Sequence, residues 1–466
     1  MADERTGVLV VGAGLAGCCA AMFLARKGVR VLLVERHEGP SIHPRATCQS
    51  PRTMELLRIG GVADEVLAAN ATDNAGDEWD TSALSPAPFG RAAQDQVEPI
   101  LLAQAENAGA AIRFATEAVD LRQDATGVTA RLLDGPTGRL TTVRADYLIA
   151  ADGHRSPIRE RLGIRRHGGG TLGNQISVLF STEHSGERVL NFDYHPGRGE
   201  SAADFTPARV IGLIRIGLNA PDLAVRIHAV QAWAQGEWVA ERFRTGRVFL
   251  AGDAAKAAPP GIGADTAVAD AYDLAWKLAD VYTGAAQPTL LDSYDAERRP
   301  YATEVVHNTL TPVSMFGFRC RSNAVIPQDD DTALTEDPDQ PSGRPGFRAP
   351  HVPLVANGAD VISTVDLFGD GWTLLTTEEG GLWRQAAERV AHQLGLRLTA
   401  YGPGPELTDP TGGFAEVYGI DGTGASLVRP DGVVAWRCEY EVSDPAGTLF
   451  AVLRRLLGHQ EAVQAA

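Results

Sequence analysis

Residues 7–35 read GVLVVGAGLAGCCAAMFLARKGVRVLLVE. A short apolar run (7–12) meets a glycine turn, a small-residue helical pattern follows over 14–27, Gly28 closes it, and RVLLVE at 30–35 reads as a second strand. Strand, glycine turn, helix and strand in that order form a dinucleotide-binding βαβ unit, a far more specific signal than an isolated glycine motif. In such a unit Gly12 makes the tight turn, Gly14 leaves room for a pyrophosphate at the helix N-terminus, and Gly17 lets the helix lie close on the sheet. Glu35 ends the second strand, where a carboxylate can accept hydrogen bonds from ribose hydroxyls. Ala16 and Arg36 beside these positions complete the first group of candidate cofactor-binding residues. The unit does not say which dinucleotide is held, and no second motif of this kind follows a strand and opens a helix.

Two later segments return to the same sheet. VRADYLIAADG (143–153) is an apolar strand ending in Asp152-Gly153, and RVFLAGD (247–253) is another ending in Gly252-Asp253, followed by a helical stretch from about Ala264 to Tyr282. Carboxylates at such strand ends face the crevice in which open α/β sheets bind ligands. Asp253 is a candidate for a polyhydroxyl linker, with an ordinary turn and helix cap as the competing explanation.

Composition narrows the partners. A chain of 466 residues exceeds one ordinary core, so two or three domains are expected. The net charge of -17, with Lys and Arg not gathered into blocks, argues against nucleic acid and anionic membranes. MADERTGVLVV carries acids where a secretory leader carries positive charge, and no apolar stretch approaches the roughly 20 residues of a membrane span, so a cytoplasmic protein is expected. The five cysteines, Cys18, Cys19, Cys48, Cys320 and Cys438, form no C-x-x-C pair or metal-binding spacing, and no metal is expected.

GAGLAG (12–17), HPRA (43–46), RTMELLR (52–58), YLIAADGHRSPIR (147–159), GRVFLAGDAAKAAPP (246–260) and DLAWKLADV (273–281) occur together in one order. This combination resembles the FAD-dependent aromatic hydroxylases of the para-hydroxybenzoate hydroxylase superfamily, most closely the branch that modifies aromatic polyketides, including anthracyclines. The resemblance implies an α/β fold: a Rossmann-type FAD-binding domain, an inserted β-rich substrate domain and a thioredoxin-like C-terminal domain. It implies FAD as cofactor, NADPH or NADH as reductant, molecular oxygen and a small aromatic substrate, with hydroxylation through a flavin C4a-hydroperoxide in a monomer or homodimer. By the same resemblance Arg45 lies near the pyrophosphate and isoalloxazine and is the tentative catalytic residue, Gln96 is the family glutamine beside the cofactor, Asp253 meets the ribityl chain and Pro260 adjoins the flavin. Asp152, Gly252, Gly263 and Ala264 complete the implied FAD-binding set, and Arg155 belongs to the same Asp-Gly segment as Asp152. His43 and His154 are the residues near these motifs that can titrate close to neutral pH.

This chain departs from the family pattern in PPGIGADTAV (259–268), about two residues shorter than the usual glycine-rich loop, and in Lys256, where histidine is common. Asp265 brings a negative charge to a position where a neutral group is expected; beside a reduced, anionic flavin it is unfavourable unless paired, protonated or turned away. An FAD-dependent oxidase or dehydrogenase, and a non-catalytic assembly protein on the same fold, are the alternative functions.

The expected organisation is an FAD-binding first part over 1–170, with a short substrate-domain insertion near 70–100, then a β-rich substrate domain over 171–245. A second FAD-binding part with long helices follows over 246–320, then a linker over 321–346 and the thioredoxin-like domain over 347–466. NQISVLF, RVLNFDY and ARVIGLIRIGL all read as strands of the middle domain, with Phe192, Tyr194, Phe205, Trp233 and Trp238 as aromatic wall or core. The acidic, proline-containing QDDDTALTEDPDQPSG reads as a solvent-exposed linker. Without C-x-x-C, the C-terminal domain is expected to support or assemble rather than exchange thiols.

Overall fold

The structure, a computed structural model, describes residues 4–69, 79–183, 185–258, 261–306, 310–440 and 442–459. In chain order, β1 (Glu4–Val11), α1 (Leu15–Arg26) and β2 (Val31–Val34) form the opening unit. α2 (Pro51–Gly60), α3 (Ala63–Ala68) and α4 (Gln94–Asn107) follow, then β3 (Ala111–Arg113), β4 (Thr116–Asp124), β5 (Gly127–Asp134), β6 (Leu140–Ala150) and α5 (Pro157–Arg161). Of the insertion expected near 70–100, residues 70–78 lie outside the described residues.

The middle segment carries β7 (Arg166–Thr182), β8 (Ser185–Tyr194), α6 (Pro207–Gly217) and β9 (Val225–Ala240). The chain then returns to the first domain through β10 (Arg244–Thr245), β11 (Val248–Leu250), β12 (Lys256–Ala257), α7 (Gly263–Thr283), α8 (Asp292–Val306) and α9 (Pro312–Phe316). The first sheet runs β10-β11-β6-β1-β2-β3. Its core strands β11, β6, β1, β2 and β3 are parallel, so both faces are covered and Val8, Leu9, Val10, Leu32 and Leu33 are fully buried. The ligand crevice therefore lies at the carboxyl ends of β1, β2 and β6, where the sequence places its glycines and acids.

The middle sheet, β12-β9-β7-β8, is antiparallel. Ile176, Val178 and Phe180 of β7 pack with Phe205 and with Val210 and Ile214 of α6. ARVIGLIRIGL is thus a helix, not the expected strand. Its β-branched content favours a strand, but Thr206 caps the Arg209 N–H, Pro207 occupies the first turn, and Val210 and Ile214 recur at helical spacing on the buried face.

The acidic run within residues 321–346 is largely exposed, as a linker would be, but it is pinned in place. Asp329 and Asp331 pair with Arg319 and Arg344, and the two guanidiniums sit 5.1 and 5.3 Å from the ring of buried Phe347. Neutralising the acids in place lets the segment fold against the protein surface.

The C-terminal region comprises β13 (Pro353–Ala356), β14 (Asp360–Ser363), β15 (Trp372–Thr376), α10 (Gly381–Leu394), β16 (Leu398–Tyr401), β17 (Leu407–Thr408), α11 (Phe414–Tyr418), β18 (Ala425–Val428), β19 (Val434–Cys438) and α12 (Pro445–Leu456). Its sheet β16-β15-β18-β19, with β15 parallel to β16 and antiparallel to β18, is the thioredoxin-like arrangement. It is seated on α7 and α8. Trp372 meets Trp276 edge-on at 5.8 Å, and buried Arg429 joins Glu297 (2.6 Å) and Asp431, while Lys277 joins Asp273 (2.8 Å) and Glu297 (3.0 Å).

Candidate functional site

A cleft of about 690 Å³ opens at the carboxyl ends of β1, β2 and β6. Gly12, at φ 103°, makes the turn out of β1; an added Cβ would fall 2.2 Å from the Ala151 carbonyl oxygen. A Cβ on Gly17 would lie 1.8 Å from the Gly12 oxygen, so this glycine serves contact between helix and turn. Gly14 differs: a Cβ there would meet only Glu98 Oε1, at 3.9 Å. Space is therefore left open where the first-turn N–H groups of α1, which have no intrahelical acceptor, offer an anion site.

Glu35 Oε2 accepts from the Ala13 N–H (2.8 Å) and Oε1 from the His37 N–H (2.9 Å), so the carboxylate ties the glycine turn to the end of β2. The His37 ring Nδ1 also meets Oε1 (2.5 Å), so of the roughly four acceptor sites of a carboxylate about one is left for a ribose hydroxyl in the cleft that Glu35 lines. Arg36, Arg45, Asp152, His154 and Arg155 also line the cleft, together with His37, Ser41, His43, Gln94 and Glu98. Arg45 makes no side-chain hydrogen bond or ion pair among the described residues, leaving its charge free for a ligand.

The other expected residues are placed differently. Gln96 is outside the lining; its Oε1 accepts from the Ala93 N–H at the start of α4 (3.3 Å). Gln94, two residues earlier, lines the cleft and donates to Glu98 Oε1 (2.6 Å). Asp152 is held by the Ser156 hydroxyl (2.6 Å) and the Ile158 N–H (3.0 Å), so both oxygens organise the entry to α5. Ala16 and Gly252 lie against one another: a Cβ on Gly252 would come within 2.8 Å of the Ala16 methyl, so this pair packs α1 on the turn after β11. Asp253 is accessible to solvent but lies outside the lining, and the protein around it raises its pKa, opposed by Lys256, His154 and Arg45. Gly263 and Ala264 open α7, with empty space where a Gly263 Cβ would go. Pro260 is outside the described residues.

Asp265 is paired within the protein and lies outside the cleft lining. Its Oδ1 accepts from the Ser50 N–H (2.9 Å), the Ser50 hydroxyl (2.6 Å) and the Thr53 hydroxyl, at the N-terminus of α2. Lys256 is buried against Asp270, which also accepts from Arg298 Nε (2.8 Å) and the Gly252 N–H (3.1 Å). The lysine thus belongs to a buried charge cluster that holds the turn before Asp253.

Burial lowers the pKa of His43 and of His154 below the ordinary histidine value; Arg45 adds to the effect at both, and Asp253 opposes it at His154. His43 is 8% exposed and its Nδ1 has no hydrogen-bond partner among the described residues. His43 thus lines the cleft with Arg45 while this nitrogen is buried.

The middle sheet supplies the far wall through Gln231 and Ala232 of β9. By register Gln231 lies opposite Ser177, Trp233 opposite Gln175, and Asn191 opposite Ser177, all on the face turned away from α6. Trp233 Nε1 donates to Ser177 Oγ (2.8 Å), Ser177 donates to Asn191, and Gln175 donates to Asp193 (2.8 Å). Trp238 is instead buried, with the Arg159 and Arg166 guanidiniums 4.6 and 5.0 Å from its ring. Sequence reasoning missed Ser41, Gln94, Glu98 and the β9 wall. The i, i+4 spacing of Gln94 and Glu98 on a helix was the available signal for that pair.

An open glycine turn, helix-terminal N–H groups, a cleft-lining acid and an unpaired arginine fit an FAD molecule, and with the parallel core of the first sheet they define a flavin-binding α/β protein. Comparison with known families agrees: residues 5–309 match the FAD binding domain family and residues 342–459 the C-terminal domain of aromatic-ring hydroxylases. Aklavinone 12-hydroxylase of Streptomyces purpurascens is 46% identical over 98% of this chain and 100% of its own length. Tetracenomycin A2 monooxygenase-dioxygenase of Streptomyces glaucescens is 36% identical over 98% of each. The crystal structure of aklavinone-11 hydroxylase with FAD and aklavinone superposes with a TM-score of 0.91, at 45% identity over 98% of this chain and 100% of that one. This chain belongs to the FAD-dependent aromatic-ring hydroxylase family and is a flavin monooxygenase. The alignment to the S. purpurascens enzyme runs over 538 positions against 466 residues here, so parts of that enzyme have no counterpart in this chain.

Proposed function

We propose that this protein is an FAD-dependent, NAD(P)H-using monooxygenase that hydroxylates an aromatic polyketide or a related phenolic natural product. The observation that carries the reading is the continuity of one cleft from the Gly12–Gly14 turn, past Arg45, to the polar face of the β7–β9 sheet. The names of the relatives, with aklavinone bound in one of them, support the substrate class.

In this reading Glu35 holds the adenosine ribose, and the N-terminus of α1 holds the pyrophosphate through the space left by Gly14. Arg45 meets the phosphate-to-ring region, Asp253 the polyhydroxyl linker, and Gly263 and Ala264 at the start of α7 the ring edge. Bound and reduced by NADPH or NADH, FAD supplies the activation of molecular oxygen. The chain's own task is to orient the aromatic ring and exclude water. Ser177, Gln231 and Trp233 present hydroxyl, amide and indole groups on one sheet face, suited to a flat molecule with phenol and quinone oxygens.

The test is NAD(P)H oxidation by purified, FAD-loaded protein. A polycyclic phenolic substrate is expected to accelerate it several-fold with a hydroxylated product; turnover that needs no NAD(P)H would instead indicate an oxidase.

A further inference from the structure

Glu98 is an acid that the flavin reading leaves without a task. It is 1% exposed, lines the cleft, and places Oε1 next to Gly14, 3.9 Å from where a Cβ on that glycine would be. An acid at the mouth of α1 stands where a pyrophosphate is expected, and two anions there repel.

Its protein partners are both donors. Gln94 Nε2 donates to Oε1 (2.6 Å) and the Ser41 N–H to Oε2 (3.4 Å). A proton on Glu98 thus has no acceptor among its described partners, and the space beyond it is the cleft. The charges and titratable groups bearing on it are Arg45 from the turn after β2, Glu35 at the end of β2, and the Cys18 and Cys19 thiols of α1. Burial raises the carboxyl pKa above the ordinary glutamate value, and Glu35 adds to this; Gln94, the Ser41 N–H and Arg45 oppose it.

We propose that Glu98 is a proton-linked contact for the FAD pyrophosphate: protonated, it donates a hydrogen bond to the anion at the N-terminus of α1, and its ionisation weakens that binding. The proposal rests on the flavin reading. FAD binding then takes up a proton at Glu98, and affinity falls as pH rises through the titration of this group in the free protein. It also accounts for a buried acid at an anion site, since the group is neutral when the anion is bound.

The experiment measures the FAD Kd by flavin fluorescence from pH 6 to 9 for wild type and Glu98→Gln. Any contribution of His43 and His154 is common to both proteins, so the ratio of wild-type to variant Kd isolates Glu98. That ratio is expected to rise with pH, by up to about tenfold for each pH unit above the titration of Glu98. A flat ratio overturns the proposal. Gln94→Leu removes a donor that favours the ionised carboxyl and is expected to shift the midpoint of the wild-type pH dependence upward; an unmoved midpoint overturns the proposal even if the first variant does not fold. Wild type that binds no FAD at any pH would remove the flavin reading itself, whereas pH-indifferent binding removes only the role of Glu98.

Discussion

Asp265 Oδ1 accepts from both the backbone N–H and the hydroxyl of Ser50, at 2.9 and 2.6 Å, and thereby joins the first turn of α7 to the N-terminus of α2. The acid that the shortened loop introduces is thus a structural cap. Burial raises its pKa, opposed by the hydrogen bonds from Ser50 and Thr53. Asp265→Leu strands those donors and is expected to cost about 2–3 kcal/mol in urea unfolding. Asp265→Asn, which keeps an acceptor oxygen, is expected to cost less than half as much.

Two glycines of one turn separate folding from binding. Gly17→Ala forces a methyl into the Gly12 carbonyl and is expected to destabilise the protein by about 3 kcal/mol. Gly14→Ala has room for its methyl, so thermal unfolding is expected to change little while FAD affinity falls about tenfold, about 1.4 kcal/mol. Calorimetric melting and FAD titration of both variants give the comparison.

The C-terminal domain is held by buried charge. Arg429→Met leaves Asp431 buried without its cation and Glu297 with Lys277 alone, and is expected to cost about 3–5 kcal/mol. Removal of the exposed Arg161–Asp120 pair by Arg161→Ala is expected to cost less than about 1 kcal/mol. Chemical denaturation of the two variants reads the difference.

Asp280, near the C-terminus of α7, accepts from Trp372 Nε1 (3.1 Å), and burial raises its pKa to about 6. The folded state therefore binds more protons here than the unfolded state, and this contribution to stability is present at low pH and lost as pH rises from about 4 through about 6. Asp280→Asn keeps a carbonyl for Trp372 and removes the charge. It is expected to flatten stability over that window and to raise it at pH 8 by about 1–2 kcal/mol, as measured by urea unfolding at each pH.

The opening unit was legible because Gly12, Gly14, Gly17 and Glu35 act through backbone and local spacing, which sequence order carries directly. α6 was misread as a strand because its β-branched residues outweighed the Thr206-Pro207 start signal. Gln94 and Glu98 escaped because position within a helix turn decides which of two nearby glutamines faces the cleft. The pairing of Asp265 with Ser50, far apart in sequence, and the arrival of β9 as the far wall depend on tertiary contacts that no local pattern encodes.

The flavin held in this cleft is expected to insert oxygen into an aromatic ring. Turnover of a phenolic polyketide under ¹⁸O₂, with NADPH or NADH and mass analysis of the product, tests it most directly. Incorporation of one labelled atom is the predicted result; a product oxidised without label contradicts the account and leaves an oxidase on the same fold.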